Sequence, residues 1–361
     1  MASAIEKVHV AGQSTWLDYI SRSLIASGRL ARMVEDGWIT GLTSNPTIFH
    51  RAIADSADYQ DSLRRLSSQT SLYEAYLAIA GEDIRAAADV LRPVYDRTQG
   101  EDGYVSFEAQ AGITDEMISE ARRMFRSVDR PNVMIKIPGV PDGIEAVSTL
   151  IEEGISVNIT LLFDVEVYER FVEAYLSGLE RRFASHQPLD RVASVASFFV
   201  SRVDTKIDSR LPEDSTLRGK VGIANSRRAY EQFLRVFSGP RWERLSASGA
   251  RLQRPLWGST STKNPVYRDV MYVEELVAPH TVNTMPEETL LAFLDHGEFG
   301  STIPERFDEA NRVLQAAAAA GIDLHAVGRE LTEEGVAAFD GDFQKLLEAL
   351  GAALETLASA R

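Results

Sequence analysis

Eight short apolar runs, most of them followed by a helix-like run, limit the folds open to this sequence more than any other feature. The runs are residues 14–19, 39–45, 104–109, 132–139, 155–163, 192–200, 256–263 and 280–285. Strands that alternate with helices form parallel sheets, and eight such units close into a barrel. We therefore predict an α/β fold built on a single (β/α)8 TIM-type barrel. An open doubly wound sheet is the alternative, although neither G-x-G-x-x-G after the first strand nor G-x-x-x-x-G-K-[ST] occurs.

The length of 361 residues fits one such barrel with insertions. We expect a single barrel domain over residues 1–361, with helical additions at about 56–100 and about 206–249. The C-terminal stretch, about 305–361, is expected to form helices that break at Gly321 and near Gly341. With 44% hydrophobic and 25% charged residues, the composition supplies a large core and gives no sign of global disorder.

Charge and residue usage exclude several classes of function. The formal net charge of -15 repels polyanions, so we expect no nucleic-acid partner, although a small phosphorylated ligand needs only a local pair of cations. The absence of cysteine excludes disulfides, thiolate metal sites and thiol nucleophiles, and it fits a reducing compartment. The start of the sequence lacks a basic segment followed by an apolar core, and no apolar run is long enough to span a bilayer. We therefore expect a cytoplasmic protein without membrane contact.

Lys136 lies in the middle of an apolar strand, N-V-M-I-K-I-P-G, at residues 132–139. Val133, Ile135 and Ile137 alternate with the lysine, so their side chains point outwards while that of Lys136 points into the barrel. A buried ammonium is costly to desolvate and therefore needs a partner or a function. From this stretch alone, an edge-strand lysine or one whose head group reaches water is an equally good interpretation.

Polar residues recur at the C-terminal ends of the predicted strands, where active sites of this fold lie. Those expected to face the interior are Asp18, Asn45, Glu108, Lys136, Asn158, Thr160 and Ser197. Any one of them alone is best explained as a loop cap or a polar group paired with backbone. Agreement across six strands is harder to explain by packing, since buried polar groups stabilise little. The pattern therefore predicts a polar site inside the barrel mouth.

The composition of this site favours carbonyl chemistry through a Schiff base on a lysine. The six histidines lack metal-binding spacing, and the G-x-S-x-G elbow of serine hydrolases is missing. The attacking amine must be neutral, and a carboxylate in direct contact would stabilise the charged form. We therefore expect Glu108 to reach Lys136 through a water molecule rather than by a direct ion pair.

Four ordered motifs resemble those of the transaldolases. They are G-L-T-S-N-P-T-I-F at 41–49, V-M-I-K-I-P at 133–138, N-I-T-L-L-F at 158–163 and S-F-F-V-S-R at 197–202. The resemblance runs from about residue 16 to about residue 286 and is closest to the longer transaldolase subgroup. It implies a cofactor-free enzyme of the (β/α)8 type.

The resemblance also implies a role for each motif residue. Lys136 would form the Schiff base, while Glu108 and Thr160 would hold the catalytic water, with Glu108 as the acid/base group. Asp18 would act on the substrate hydroxyl next to the bond that breaks. The expected substrate-binding residues are Asn45, Asn158, Ser197 and Phe199, and the expected phosphate-binding residues are Arg202 and Lys263. Lys263 stands where much of the family has an arginine.

The implied reaction moves a dihydroxyacetone unit from sedoheptulose 7-phosphate to glyceraldehyde 3-phosphate, giving erythrose 4-phosphate and fructose 6-phosphate in the pentose phosphate pathway. The first alternative is a Schiff-base fructose 6-phosphate aldolase, but those relatives tend to carry Gln where Glu108 stands and Tyr where Phe199 stands. The second is a barrel that binds sugar phosphates without covalent chemistry. A monomer and a homodimer are both compatible with the sequence.

Overall fold

Eight parallel strands close into one barrel in the computed structural model, which describes residues 3–54, 57–66, 70–300 and 302–359. The strands are β1 Gln13–Asp18, β2 Gly41–Thr43, β3 Val105–Glu108, β4 Val133–Pro138, β5 Val157–Leu162, β6 Ser194–Phe199, β7 Gln253–Gly258 and β8 Thr281–Met285. They follow chain order around the barrel, and β8 pairs back onto β1. The predicted (β/α)8 barrel is confirmed, and the open doubly wound sheet is wrong.

Helices surround this barrel and fill the connections between its strands. Those before β5 are α1 Ala4–Val10, α2 Arg22–Ala26, α3 Arg29–Glu35, α4 Pro46–Ala54, α5 Gln60–Arg65, α6 Leu72–Arg97, α7 Thr114–Val128 and α8 Pro141–Glu153. Those after β5 are α9 Val165–Ala184, α10 Val200–Asp208, α11 Val221–Val236, α12 Pro240–Ala247, α13 Met271–Glu275, α14 Glu287–His296, α15 Phe307–Ala319 and α16 Leu324–Ser359. Short 3-10 helices span Ala57–Tyr59 and Ile303–Arg306.

Helix α8 illustrates how the sequence sets these elements. It begins at Pro141, whose fixed φ suits a first helical turn, and it ends before Gly154, which takes a left-handed φ of 88°. Val147, Leu150 and Ile151 on one face are fully buried against the barrel. Each such side chain contributes about 1.5 to 3 kcal/mol to folding when removed from water.

Two predicted boundaries are wrong for identifiable reasons. Strand β7 ends at Gly258 rather than near Lys263, because Ser259 takes a left-handed φ of 53° that turns the chain out of the sheet. The helical C-terminal stretch breaks at Gly321 as predicted, but α16 continues through Gly341. A glycine inside a helix costs about 1 kcal/mol, which the buried Phe343 and Leu346 that follow it outweigh.

The other predicted additions also contain helices. Helices α5 and α6 lie within 56–100, α11 and α12 lie within 206–249, and α15 and α16 lie within 305–361. Residues 56, 67–69, 360 and 361 of these ranges lie outside the described residues. Within the described ranges, no helix combines the length and apolar character needed to cross a membrane.

The N-terminal half of the barrel interior is filled by apolar side chains. One cluster joins residues of five strands, namely Trp16, Met134, Val195, Leu256 and Val282, each at most 1% exposed. Gly41 permits this packing, because a Cβ at that position would come within 2.4 Å of the Trp16 indole. This apolar layer closes the lower part of the barrel interior, so the polar side chains of the upper part face the C-terminal ends of the strands.

Helix α16 lies beside those C-terminal ends and contacts α4, α10 and β5. Its approach to β5 depends on Gly335, where a Cβ would lie 2.8 Å from a methyl group of Leu161. Leu161 itself takes a left-handed φ of 59° at an irregularity in the pairing of β5 with β6. The close contact places the part of α16 around Phe339 at the barrel mouth.

Candidate active site

A cavity of about 680 Å³ opens at the C-terminal ends of the strands. Eight of the ten predicted site residues line it: Asp18, Asn45, Lys136, Thr160, Ser197, Phe199, Arg202 and Lys263. The other two, Glu108 and Asn158, lie directly behind this wall and contact residues that line the cavity. The barrel therefore gathers the predicted residues around one space, although it does not expose all of them there.

Lys136 and Glu108 form a buried ion pair at the cavity floor. The lysine Nζ lies 2.5 Å from Glu108 Oε2, and it also donates to the carbonyl oxygen of Ser44 at 3.0 Å. The side chains of the pair are only 6% and 5% exposed. The expectation of a water between them is wrong, because the β3–β4 register places Glu108 directly opposite Lys136 on neighbouring strands.

The direct pair still allows a neutral amine. Burial raises the pKa of Glu108, and the positive charge of Lys136 opposes that rise. The 2.5 Å contact lets a proton pass directly between the ammonium and the carboxylate. The pair can therefore share one proton between an inactive charged form and a nucleophilic neutral form.

Asp18 ends β1 at the cavity wall as a half-buried carboxylate. Burial raises its pKa, and the charge of Lys136 again opposes the rise. Thr43 donates its hydroxyl to Asp18 Oδ1 at 2.6 Å, so the hydroxyl of Thr284, 2.7 Å away, donates to Thr43 in turn. This chain of hydroxyls fixes one carboxylate oxygen and leaves the other for a ligand.

Asn158 lies below the cavity wall, where it is fully buried. Its amide nitrogen donates to Ser106 Oγ at 3.0 Å, and its oxygen accepts from Ser197 Oγ at 2.6 Å. Asn158 therefore orients Ser197, which does line the cavity. Thr160 has a buried hydroxyl without a hydrogen-bond partner among the described residues, and it faces the same space.

Asn45 connects the cavity to helix α4. Its side-chain oxygen accepts from the backbone N–H of Ile48 at 2.9 Å, so it caps the first turn of α4. The amide nitrogen of the same side chain keeps both hydrogens for a ligand. Pro46 follows directly and suits the first helical position, so the T-S-N-P sequence positions Asn45 at this edge.

The cationic end of the cavity is formed by Arg202 and Lys263. Arg202 lies in the first turn of α10, immediately after β6, and burial lowers its pKa. Its guanidinium carbon lies 5.2 Å from the ring centre of Phe199 and 5.9 Å from that of Phe339. Lys263 is exposed in the loop after β7 and donates to Ser261 Oγ at 2.8 Å. Both cations line the cavity and can offer N–H donors to an anionic ligand there.

Several lining residues were not predicted from the sequence. Phe339 comes from α16, Arg51 from the last turn of α4, and Arg29 from α3, where it pairs with Glu287 of α14. A smaller cavity of about 20 Å³, enough for a single water, adjoins Glu108. None of these positions carries a motif, and only the three-dimensional fold brings them to the mouth.

The arrangement is suited to covalent carbonyl chemistry on a phosphorylated substrate. A shielded lysine with a proton-sharing carboxyl, a second carboxylate and a cationic end are present in one cavity. Among the residues that the structure describes, no group of three or more His, Asp or Glu could hold a metal ion. A closed (β/α)8 barrel with such a lysine at the C-terminal ends of its strands belongs to the Schiff-base aldolase class of enzymes.

Comparisons with known proteins agree with this class. Residues 15–350 match the family model described as transaldolase/fructose-6-phosphate aldolase. The transaldolase of Parafrankia sp. (strain EAN1pec) is 45% identical over 99% of this chain and 100% of that protein. The transaldolase of Acidothermus cellulolyticus is 46% identical over 98% of each chain, and that of Frankia alni is 45% identical over 96% of each. The chain belongs to the transaldolase/fructose-6-phosphate aldolase family.

Proposed function

We propose that the protein is a transaldolase, a transferase that moves a dihydroxyacetone unit from sedoheptulose 7-phosphate to glyceraldehyde 3-phosphate. The products are erythrose 4-phosphate and fructose 6-phosphate. The observation that carries the proposal is the buried Lys136–Glu108 pair at the floor of a cavity whose far side is cationic. Relatives named transaldolase that match this chain from end to end support the transferase over other barrel enzymes.

The covalent step begins when Glu108 takes the ammonium proton of Lys136. The neutral amine attacks the C2 carbonyl carbon of the ketose, a C–N bond forms and the C=O π bond breaks. A proton then moves from the new ammonium nitrogen to the oxygen, which becomes a hydroxyl. Glu108 then returns a proton to that hydroxyl, which leaves as water and produces a protonated imine on Lys136. We assign the holding of this water to Thr160, and its buried hydroxyl without a partner among the described residues supports that role.

The carbon–carbon bond breaks with Asp18 as the base. Its carboxylate takes the proton of the C4 hydroxyl, the C3–C4 bond breaks, and the electron pair moves to the imine nitrogen. The C4 fragment leaves as an aldose, and a three-carbon enamine stays on Lys136. When the acceptor arrives, the enamine attacks its aldehyde carbon and Asp18 returns the proton. A raised pKa suits a group that must both take and give this proton.

The remaining residues bind the sugar. Asn45 and Ser197 offer hydrogen bonds to substrate hydroxyls, and Asn158 contributes by orienting Ser197. Arg202 and Lys263 bind the phosphate, the first as a planar fork and the second as a point charge. Phe199 lines the same cavity with an apolar ring that cannot donate a proton to the enamine.

The same proposal covers the cellular setting. We place the reaction in the cytoplasmic pentose phosphate pathway, without a cofactor and without a nucleic-acid or membrane partner. Small sugar phosphates are the partners that the cavity fits. Monomer and homodimer remain equally compatible with the chain, and sedimentation at enzyme concentrations distinguishes them.

Borohydride reduction with fructose 6-phosphate tests the covalent chemistry. We expect a three-carbon adduct on Lys136 by peptide mass analysis, and no adduct on the Lys136→Arg variant. If the wild-type protein carries no adduct, the Schiff base is rejected and the protein is a barrel that binds sugar phosphates without covalent chemistry.

Product analysis then separates the transferase from the fructose 6-phosphate aldolase. We expect rapid erythrose 4-phosphate formation from sedoheptulose 7-phosphate and glyceraldehyde 3-phosphate, with little free dihydroxyacetone from fructose 6-phosphate alone. Dihydroxyacetone released as fast as the transfer reaction would favour the aldolase and reject the role given to Phe199.

A further inference from the structure

The side chain of Arg202 has few contacts within the barrel that would fix its orientation. Arg202 forms no hydrogen bond or ion pair with any residue in the described part of the chain, although it is half-buried. By contrast, the buried Arg227 pairs with Glu275 and Glu309, and Arg22 pairs with Glu82 and Asp83. A guanidinium side chain has about 2 kcal/mol of rotamer entropy to lose on ordering. Glu108, Asp18 and Glu334 are near enough to favour its positive charge, but none of them forms a hydrogen bond that would fix the plane of the guanidinium.

Two aromatic rings contact the Arg202 guanidinium, and they come from different parts of the fold. Phe199 ends β6 and is fixed by the barrel, with its ring 5.6 Å from that of Phe163. Phe339 comes from α16 and lines the same cavity. A guanidinium carries its N–H donors in its plane, so rings against its faces leave its edges free for the two oxygens of a phosphate.

The position of Phe339 is set by how α16 docks. Gly335, one turn before it, allows the helix to touch Leu161, and Lys206 pairs with Glu334 at 2.5 Å and with Glu330 at 3.2 Å. Lys206 belongs to α10, one turn after Arg202, so the helix that carries the arginine is tied directly to the helix that carries the ring. These exposed ion pairs each stabilise little, but together they define one register.

We propose that Phe339 is a positioning residue for the phosphate end of the site, which holds the Arg202 guanidinium in the orientation that binds a phosphate monoester. The inference rests on the proposed function, because it assigns Phe339 to phosphorylated rather than to free sugars. Phe339 touches neither the reacting carbon nor Lys136 in this role. Its contribution is to affinity for the phosphate, and the chemical step is independent of it.

The test uses Phe339→Leu, which keeps an apolar side chain and removes the ring. We expect its KM for fructose 6-phosphate to rise about 3- to 30-fold, the range of a partly desolvated cation–π contact. The KM for unphosphorylated fructose and the kcat for both sugars should stay within twofold of the wild type. Phe339→Tyr should restore the KM, because it restores the ring.

Two controls separate positioning from general damage to α16. Leu350→Ala removes a fully buried side chain about three turns further along the same helix, so it should lower the unfolding midpoint without favouring either sugar. In an Arg202→Ala background, Phe339→Leu should cause no further rise in KM, since the two residues act as one unit. Equal losses on both sugars, or additive effects in the double variant, would overturn the proposal.

A binding measurement keeps this inference distinct from the proposed function. Titration calorimetry of the whole chain with inorganic phosphate needs no turnover, and Phe339→Leu should weaken phosphate binding by a similar factor. If the wild type forms no borohydride adduct but binds phosphate more tightly than Phe339→Leu does, the transaldolase assignment is rejected and the role of Phe339 stands. Phosphate that binds both proteins equally, or binds neither, rejects that role even if transaldolase activity is found.

Discussion

Replacing Lys136 by methionine should expose the energetics of the buried pair at the cavity floor. The substitution keeps an unbranched chain of similar length and leaves the buried Glu108 without its ion-pair partner. Removing one member of a buried pair destabilises a protein by about 3 to 5 kcal/mol, because the other charge stays buried and unpaired. We expect a loss of that order for Lys136→Met near pH 8, together with the loss of activity.

The pH dependence gives the sharper result. Burial already raises the pKa of Glu108, and in Lys136→Met the opposing positive charge is gone. A carboxyl group whose pKa is raised on folding contributes stability that is present at low pH and is lost as pH rises through the raised pKa, at up to about 1.4 kcal/mol per pH unit. The variant should therefore be close to wild-type stability near pH 4 and should fall behind as pH approaches 8.

Urea unfolding at several pH values measures this difference, and Lys136→Met/Glu108→Gln supplies the control. Because replacing both members of a buried pair is often neutral or stabilising, the double variant should recover most of the loss at pH 8. A constant difference between wild type and Lys136→Met from pH 4 to pH 8, with no recovery in the double variant, would refute the direct buried pair. It would favour the water-separated arrangement instead.

Three further predictions concern catalysis, phosphate binding and stability. Lys136→Arg should fold normally yet lose several orders of magnitude in kcat, because a guanidinium cannot form the imine; retention of a tenth of wild-type turnover would exclude the Schiff base. Arg202→Ala should raise KM for phosphorylated sugars by an amount equivalent to about 2 to 4 kcal/mol, and equal losses on unphosphorylated sugars would move the phosphate towards Lys263. Burial raises the pKa of Asp204 to about 7, so wild-type stability should fall between about pH 4 and pH 7 by roughly 4 kcal/mol more than that of Asp204→Asn. Parallel urea-unfolding curves for these two proteins would contradict the raised pKa.

The sequence was sufficient for the strands because the signal there is local. Alternation around Lys136 predicted which side chains face inwards, and the polar residues at strand ends predicted where the cavity lies. Strand ends were less certain, since β7 stops at a left-handed Ser259 that no residue type announces. Periodicity therefore identified the barrel but not where its strands end.

The rest of the site depends on distances that no local pattern encodes. The Lys136–Glu108 contact follows from the register of β3 and β4, which fixes residues 28 positions apart in the chain. Asn158 carries the expected residue type, yet its hydrogen bonds to Ser106 and Ser197 keep it behind the cavity wall. Phe339 lies in a helix whose own pattern suggests only packing. Such features become visible once the barrel has closed and its surrounding helices have docked.

The origin of Phe339 in α16 has a consequence for the order in which the enzyme is made. All eight strands are complete at Met285, whereas Phe339 follows 54 positions later. At ribosomal rates of about 5 to 20 residues per second, this gap lasts on the order of several seconds. During that interval the lysine and both carboxylates already exist on the nascent chain, while the ring that orders Arg202 does not. The residues proposed for the chemical step and the ring proposed to order Arg202 are thus made at different moments of synthesis, and ribosome-bound chains stalled before and after α16 should differ in their affinity for phosphate.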